Sequence, residues 1–269
     1  FLVWSCGCFL PGLAAQTIHP SDYGRVVLHL QAGDLVQANA SPVTAWGPMT
    51  AAGTAAPTFT AAEPKFNNRP AVKFDGTTDY MTWSEAGMTV RTVIAAVVLD
   101  SGAPADACLV SNGGDDLHIR RNASTLTYRS PGKGLDVYNF SGGVPAGTLT
   151  VNTVASGNFV LNTPHLLVAT AGAEKNYSAF WLGNPGTTIG GYWRGSVAEM
   201  IVYEGVLTPD GLASVGWYLQ NKYGLATTLP PPKPFVRSLS ATQGTVTSSV
   251  GVLSAPGQAV ALNWNVENA

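Results

Sequence analysis

The alternation of apolar and polar residues predicts β-strands along most of the chain. In residues 25–31, Val26, Leu28 and Leu30 share one face of an extended segment, and polar residues occupy much of the other face. Residues 91–99 (RTVIAAVVL) are instead apolar almost without interruption. A strand that is apolar on both faces is typical of the middle of a sheet covered on both sides.

Turn residues separate further strand candidates at intervals of about 8–12 residues, a spacing typical of an all-β sandwich or barrel. These candidates lie at residues 69–83, 108–111, 117–121, 125–129, 135–140, 148–154, 158–161, 164–173, 177–182 and 195–203. Residues 38–64 are rich in Ala, Thr, Pro and Gly, and predict a long irregular connection.

One helix is predicted near the end of this series of strands. Thr208 suits the N-cap, Pro209 the first helical position, and Asp210 the positive end of the helix dipole. Gly224 is placed to end the helix. The apolar residues between them recur at helical spacing: Leu212, Val215, Leu219 and Tyr223.

The segment after the helix changes in character. Residues 227–234 contain four prolines and predict a semi-rigid linker. Beyond it, Val260, Leu262, Trp264 and Val266 alternate with other residues, as in a strand with one buried face. Because residues 235–269 are too few to close a sandwich, we expect them to be the truncated start of a second β-sandwich module.

Charge is scarce and balanced. Only 11% of the residues are charged, against about 25% in an average domain, and the formal net charge is −2. With no basic excess, the chain has no electrostatic signature of a nucleic-acid partner. Because 45% of the residues are hydrophobic, the chain can bury a core, which excludes wholesale disorder.

The N-terminal residues 1–15 predict export. Residues 1–13 are apolar and uncharged, and small residues follow them, as at the end of a signal peptide. The run is shorter than the roughly 20 residues that span a bilayer, so no membrane span is predicted. We therefore interpret residues 1–15 as the remnant of a signal peptide and expect a secreted or cell-surface protein. The alternative is a buried N-terminal strand.

Two blocks of sequence carry a family resemblance. Residues 69–80 (RPAVKFDGTTDY) form one block, and the strand and helix of residues 192–225 form the other. In this order and at this separation they resemble bacterial concanavalin A-like, laminin-G-like jelly-roll domains over about residues 23–225. The matching positions are Arg69, Pro70, Ala71, Val72, Phe74, Asp75, Gly76, Asp79, Tyr80, Gly195, Val197, Ala198, Glu199, Ile201, Tyr203, Tyr218, Leu219, Lys222, Tyr223 and Gly224.

The resemblance implies a fold and a setting. The expected fold class is all-β, a two-sheet antiparallel jelly-roll sandwich over residues 16–226 with one short C-terminal helix. The tail, residues 235–269, resembles the opening strands of an immunoglobulin-like module, so further domains of the same polypeptide are expected partners. Members of the jelly-roll family often bind glycans or cell-surface ligands, and some relatives on this fold hydrolyse glycans.

The sequence offers no pair of catalytic carboxylates. Glycoside hydrolysis needs two carboxyl groups on either side of the scissile bond. The nearest approach to such a pair, Glu199 and Glu204, is five residues apart, so the two side chains point to opposite faces of a regular strand. Glu199 lies in the family-like block and is predicted to be structural. We therefore predict no catalytic residues.

A polar loop at residues 112–118 is one candidate ligand site. Asn112, Asp115, Asp116 and His118 supply side-chain oxygen and nitrogen atoms within seven residues. Oxygen ligands of this kind suit Ca²⁺, which takes 6–8 of them, or the hydroxyl groups of a sugar. Ca²⁺ is therefore the cofactor that this loop could hold, and a solvated turn is the alternative.

Aromatic residues provide a second candidate. Tyr192 and Trp193 follow two glycines and precede the last predicted strand, where their rings could be exposed for stacking on a sugar. The alternative is that they belong to the core, as aromatic residues in strands usually do. Other aromatic residues considered for the same role are Tyr138, Phe140 and Trp181.

These observations favour a non-catalytic carbohydrate- or surface-binding (adhesion) module of a secreted multidomain protein. A glycoside hydrolase or polysaccharide lyase on the same jelly-roll fold, with carboxylates from different strands, is the first alternative. An architectural spacer with no ligand of its own is the second alternative.

Overall fold

The computed structural model describes most of the chain. The described residues are 18–112, 117–121, 128–129, 148–155, 160–172, 176–184, 186, 191–232, 235–243, 246–248 and 260–267. By the grouping of backbone contacts, Pro20–Leu229 forms one compact unit, and Pro230–Ala269 belongs to another. Residues 1–15 and the predicted strand at 135–140 lie outside the described residues.

The described residues of the first unit form sixteen strands and one α-helix. The strands are β1 (Val26–Gln31), β2 (Ala45–Trp46), β3 (Met49–Ala51), β4 (Thr58–Glu63), β5 (Arg69–Asp75), β6 (Met81–Thr89), β7 (Thr92–Leu99), β8 (Ala107–Ser111), β9 (His118–Arg121), β10 (Tyr128–Arg129), β11 (Thr148–Val151), β12 (Val154–Ala155), β13 (Pro164–Thr170), β14 (Asn176–Leu182), β15 (Gly191–Tyr192) and β16 (Arg194–Tyr203). The helix, α1, spans Pro209–Tyr223. Three short 3₁₀ helices lie at Pro20–Asp22, Ala32–Asp34 and Pro64–Phe66.

These strands form two sheets. Sheet 1 has the order β12-β11-β13-β7-β16-β5-β4, and β1 also pairs with β16. Sheet 2 has the order β10-β9-β8-β14-β6-β3-β2, and β15 joins it by a parallel pairing with β8. The other strand pairings among the described residues of the two sheets are antiparallel. The predicted fold class, a mainly antiparallel two-sheet sandwich with one C-terminal helix, is therefore confirmed.

Strand β7 shows why sheet 1 has two apolar faces. All eight of its residues are buried. Val93, Ala95 and Val97 belong to the core between the two sheets, whereas Ile94 and Ala96 belong to a second core under α1. Since successive side chains of a strand point to opposite faces, one continuous apolar run serves both cores.

Helix α1 covers the outer face of sheet 1 and has the predicted ends. The Thr208 side chain accepts a hydrogen bond from the Gly211 amide (3.1 Å), and Pro209 opens the first turn. Gly224 ends the helix in the left-handed conformation. The buried helix residues in the second core are Val215, Leu219 and Tyr223.

The prediction of an irregular connection over residues 38–64 is wrong. Strands β2, β3 and β4 all lie within it. Strand β4 (TFTAAE) buries Phe59 and Glu63 and is otherwise made of Thr and Ala, so it lacks a β-branched apolar alternation. Pairing with β5 stabilises it as a strand although Ala61 and Ala62 have low strand propensity. Residues 160 and 161 form no strand, in contrast to the prediction for 158–161.

The second unit contains a small antiparallel sheet. Its strands are β17 (Phe235–Gln243), β18 (Val246–Ser248) and β19 (Val260–Glu267), in the order β18-β17-β19. The predicted strand around Trp264 is present as β19. Across both units, no helix among the described residues has the length and apolar character needed to cross a bilayer.

Candidate functional site

Three partly exposed aromatic side chains form a row on sheet 2. The ring of Tyr80 stacks on that of Trp181, with centroids 5.4 Å apart and planes inclined by 27°. The ring of Tyr192 lies on Tyr80 at 6.0 Å with a tilt of 54°. All three side chains are half-buried. We call Tyr80, Trp181 and Tyr192 the aromatic row.

The strand alternation places this row on the outer face of the sheet. On β14, Phe180 and Leu182 point into the core between the sheets, so Trp181 points the other way. Met81 of β6 is also in that core, and Tyr80 precedes it. Tyr192 comes from β15, which pairs with β8 rather than with β14. The row therefore combines residues from three separate segments of the chain.

Small polar residues flank Trp181 on the same face. Thr82 of β6 and Ser111 of β8 are its direct partners in the sheet, one on each side. The Ser111 hydroxyl donates a 2.7 Å hydrogen bond to the backbone carbonyl of Asn184, which is buried. Ser111 itself is fully buried, so only Thr82 adds a hydroxyl group to the surface beside the aromatic rings. An aromatic surface with a polar edge suits a ligand with apolar ring faces and polar edges.

The predicted polar loop at residues 112–118 is only partly described. Asn112 is half-buried and follows Ser111, which places it one residue beyond the direct partner of Trp181. Its side-chain oxygen accepts a hydrogen bond from the Leu117 amide (3.3 Å). Asp115 and Asp116 lie outside the described residues. The backbone of His118 pairs with Ser111 at the start of β9.

Of the two predicted aromatic residues, Tyr192 is at the surface and Trp193 is in the core. Tyr192 belongs to the aromatic row. Trp193 is fully buried in the core between the sheets, so its ring is not available to stack on a sugar, and its prediction as a ligand-binding residue is corrected here. The physical reason is parity: neighbouring side chains in extended backbone point to opposite faces, so only one of the two can face outward.

The structure gives no metal centre within its described portion. No group of three or more His, Cys, Asp and Glu side chains there is arranged to hold a metal ion. Because Asp115 and Asp116 are outside that portion, Ca²⁺ at the loop of residues 112–118 stays a prediction.

The carboxylates nearest to the aromatic row in sequence build a turn. The Asp75 carboxylate accepts hydrogen bonds from the amides of Thr77 (2.6 Å) and Thr78 (2.9 Å) and from both threonine hydroxyls. Asp79 is buried, and both its oxygens lie within 2.9 Å of the Asp75 amide, which donates to them. This pair holds the loop that carries Tyr80, as the Asp-Gly sequence predicts for a turn.

The same pair has opposite pKa shifts. Burial alone would raise the pKa of Asp75, but the hydrogen bonds from Thr78 and Thr77 outweigh it and hold that pKa below its usual range. Burial raises the pKa of Asp79 to about 7, with a further contribution from the neighbouring Asp75 charge. The Asp79 carboxyl is buried and accepts its hydrogen bonds from the backbone of the turn itself, so its role in the structure is to hold the turn.

A second buried carboxylate, Glu199, sits between sheet 1 and helix α1. It is fully buried and accepts hydrogen bonds from His29 Nε2 (2.7 Å), Lys222 Nζ (2.6 Å) and the Tyr223 hydroxyl (2.7 Å). The Tyr218 hydroxyl donates to it as well (3.0 Å). Burial alone would raise the pKa of Glu199, but the bonds from His29 and Lys222 hold it below its ordinary value. The donors lie on β1 and α1, so Glu199 joins the helix to the sheet. The sequence predicted a structural role for Glu199, but not these partners.

Comparison with known proteins assigns no family to the chain. No family model matches it, and no curated protein does. Among solved structures it is similar to the Trypanosoma rangeli sialidase in complex with the inhibitor DANA, with 16% sequence identity and a TM-score of 0.40. The match covers 74% of this chain and 34% of the sialidase chain, so the chain spans about a third of the length of that protein. The two-sheet β-sandwich is established by the strand pairings of the chain itself.

Proposed function

We propose that this chain is a non-catalytic glycan- or surface-binding module of a secreted multidomain protein, and that its ligand binds at the aromatic row. The observation that carries the proposal is the joining of Tyr80, Trp181 and Tyr192 on the outer face of sheet 2. Rings of this kind offer a large apolar contact area to the face of a sugar at a small loss of conformational entropy.

The family resemblance supports the same proposal. Residues 69–80 and 192–225 resemble concanavalin A-like, laminin-G-like jelly-roll domains, which often bind glycans. Both blocks also contribute to the row, since Tyr80 ends the first and Tyr192 opens the second. Secretion rests on the predicted signal peptide remnant at residues 1–15.

The arrangement of carboxylates favours binding over hydrolysis. Asp75, Asp79 and Glu199 are each engaged in several hydrogen bonds that hold the fold together. A hydrolase needs a carboxyl group with room beside it for the sugar and a water molecule. The partly exposed neighbour of Trp181 is instead Thr82, whose hydroxyl can form a hydrogen bond to a ligand without reacting with it.

Affinity electrophoresis of the full chain through gels containing neutral and acidic polysaccharides tests the proposal. We expect at least one polysaccharide to retard the protein, and we expect Trp181→Ala and Tyr192→Ala to weaken that binding about tenfold or more, since they remove central aromatic contacts. Trp217→Ala is the matched control, because Trp217 is also half-buried but lies on helix α1. Circular dichroism establishes that each variant is folded.

Two outcomes would overturn this proposal. If no polysaccharide retards the wild-type protein, the spacer role becomes the better account. If a polysaccharide is retarded equally by wild type and Trp181→Ala, the ligand binds elsewhere. Release of reducing sugars from any polysaccharide of the panel would replace the binding module by a hydrolase.

A further inference from the structure

A cavity of about 190 Å³ lies at the rim of the sandwich, and the proposed function does not use it. It opens between the start of β1 on sheet 1 and the second half of β6 on sheet 2. Val27 and Met88 supply apolar lining, and Trp83 supplies an aromatic wall. Arg25, Glu85 and Glu204 supply the charged groups. We call this the rim cavity.

A bulge in β6 creates the space. Ser84 and Met88 of β6 pair with Ala179 and Tyr177 of β14, so three β6 residues stand opposite a single β14 residue. Gly87 adopts a φ of +75°, which side-chain-bearing residues rarely adopt. Bulges of this kind re-aim side chains and are enriched beside functional sites. Here the bulge carries Glu85 and Ala86 away from the regular path of the strand.

The charges around the rim cavity are unequal. Arg25 pairs with Glu204 through a 2.7 Å contact, which neutralises both. The structure gives Glu85 no ion-pair partner within the portion of the chain it describes, and its side chain is exposed. The lining therefore combines one carboxylate free to take a cation with the indole of Trp83. Anionic ligands are disfavoured because two of the three charged groups are carboxylates.

We propose that the rim cavity binds a small organic cation, an alkylammonium or quaternary ammonium group. Its positive charge would be held by the Glu85 carboxylate and by the face of Trp83, which attracts cations through its quadrupole. Its alkyl groups would contact Val27 and Met88. The volume matches a group of this size, whereas an extended polysaccharide chain does not fit. The site is separate from the aromatic row.

Titration of the full chain with tetramethylammonium chloride, followed by ¹H–¹⁵N NMR, tests this inference. We expect saturable shifts of the Trp83 indole and Gly87 amide signals beyond those caused by sodium chloride at equal ionic strength. Glu85→Gln should raise the dissociation constant about threefold, because it removes an exposed charge. Trp83→Phe should raise it by a similar factor, since Phe binds cations less well than Trp.

The controls separate a cation site from an apolar hole. Uncharged tert-butanol, of similar shape, should bind at least about threefold more weakly. Trp217→Phe, away from the cavity, should leave the affinity unchanged. The inference is overturned if the shifts do not saturate, if tert-butanol binds equally well, or if Glu85→Gln has no effect. Trp181→Ala should leave cation binding at the rim cavity intact. Failure of the cation inference is therefore distinguishable from failure of the glycan proposal.

Discussion

At the residue scale, Glu199 joins parts of the chain that are far apart in sequence. His29 comes from β1, and Lys222 and Tyr223 come from the end of α1. A buried carboxylate is tolerated only where charged and hydrogen-bonding partners compensate its desolvation. The arrangement therefore fixes where the helix ends on the sheet more than it adds to stability.

Removing the charge of Glu199 should be severe. We expect Glu199→Gln to lower the free energy of unfolding by about 3 kcal/mol, because it leaves Lys222 without its carboxylate and the tyrosine hydroxyls with a weaker acceptor. Arg25→Ala breaks an ion pair in which the arginine side chain is 79% exposed. It should change the free energy of unfolding by less than about 1 kcal/mol. Urea unfolding measures both, and equal effects would contradict the distinction.

The candidate site shows at the same scale what the sequence reveals and what it conceals. The partial exposure of Tyr192 could be predicted because its position next to glycines indicates a strand edge. The prediction that Trp193 binds a ligand was wrong because the sequence does not say which of two neighbouring aromatic residues faces the core. Tyr80 was taken only as part of a family-like block, since its contact with Trp181 depends on sheet pairing across about a hundred residues.

At the element scale, strand β16 depends on one glycine near its start. Gly195 has a φ of +153°, and a Cβ at this position would overlap the backbone carbonyl of Val98 on β7. No side-chain rotation can relieve a clash with backbone. The close approach of β16 and β7 at the centre of sheet 1 therefore requires glycine here.

Two glycines at the ends of β16 make a matched test. Gly195→Ala should lower the free energy of unfolding by about 3 kcal/mol or more, through overlap with β7 and an unfavourable φ. Gly205 follows the strand, and a Cβ there meets nothing within 4 Å. Gly205→Ala should be neutral or stabilising by up to about 1 kcal/mol. Thermal unfolding of both variants checks this, and a mild effect of Gly195→Ala would contradict the close packing.

The elements were predictable where a single pattern dominates. The apolar run predicts strand β7 correctly, and the capping residues predict helix α1 correctly. In each case the pattern lies within the element itself. Strand β4 was missed because Ala61, Ala62 and the prolines on either side of it favour irregular structure. Its pairing with β5 is a tertiary effect that no local window contains.

At the scale of the whole molecule, Asp79 gives stability a particular pH dependence. Its pKa is raised from 3.8 to about 7, so the folded state holds a proton that the unfolded chain releases above about pH 4. The contribution of this group to stability is therefore complete at acid pH and is lost as the pH rises toward 7. Glu199, whose pKa is lowered, acts in the opposite sense and loses its contribution as the pH falls.

Asp79→Asn isolates the pH dependence that Asp79 contributes, because asparagine resembles the protonated acid and does not titrate. We expect the stability of Asp79→Asn relative to wild type to rise by roughly 3 kcal/mol between pH 4 and pH 8. Urea unfolding across this range measures the difference. A difference that stays constant with pH would show that Asp79 is ionised in the folded protein throughout.

The position of β16 also bears on how the sandwich folds during synthesis. This strand is the last of the described strands in its unit, yet it pairs with β1, β5 and β7, and the register joins Val26 to Tyr203. Contacts between residues so distant in sequence slow folding, because a long loop must close before they form. The pairing of β1 with β16 therefore cannot be completed until residue 203 has been added to the growing chain.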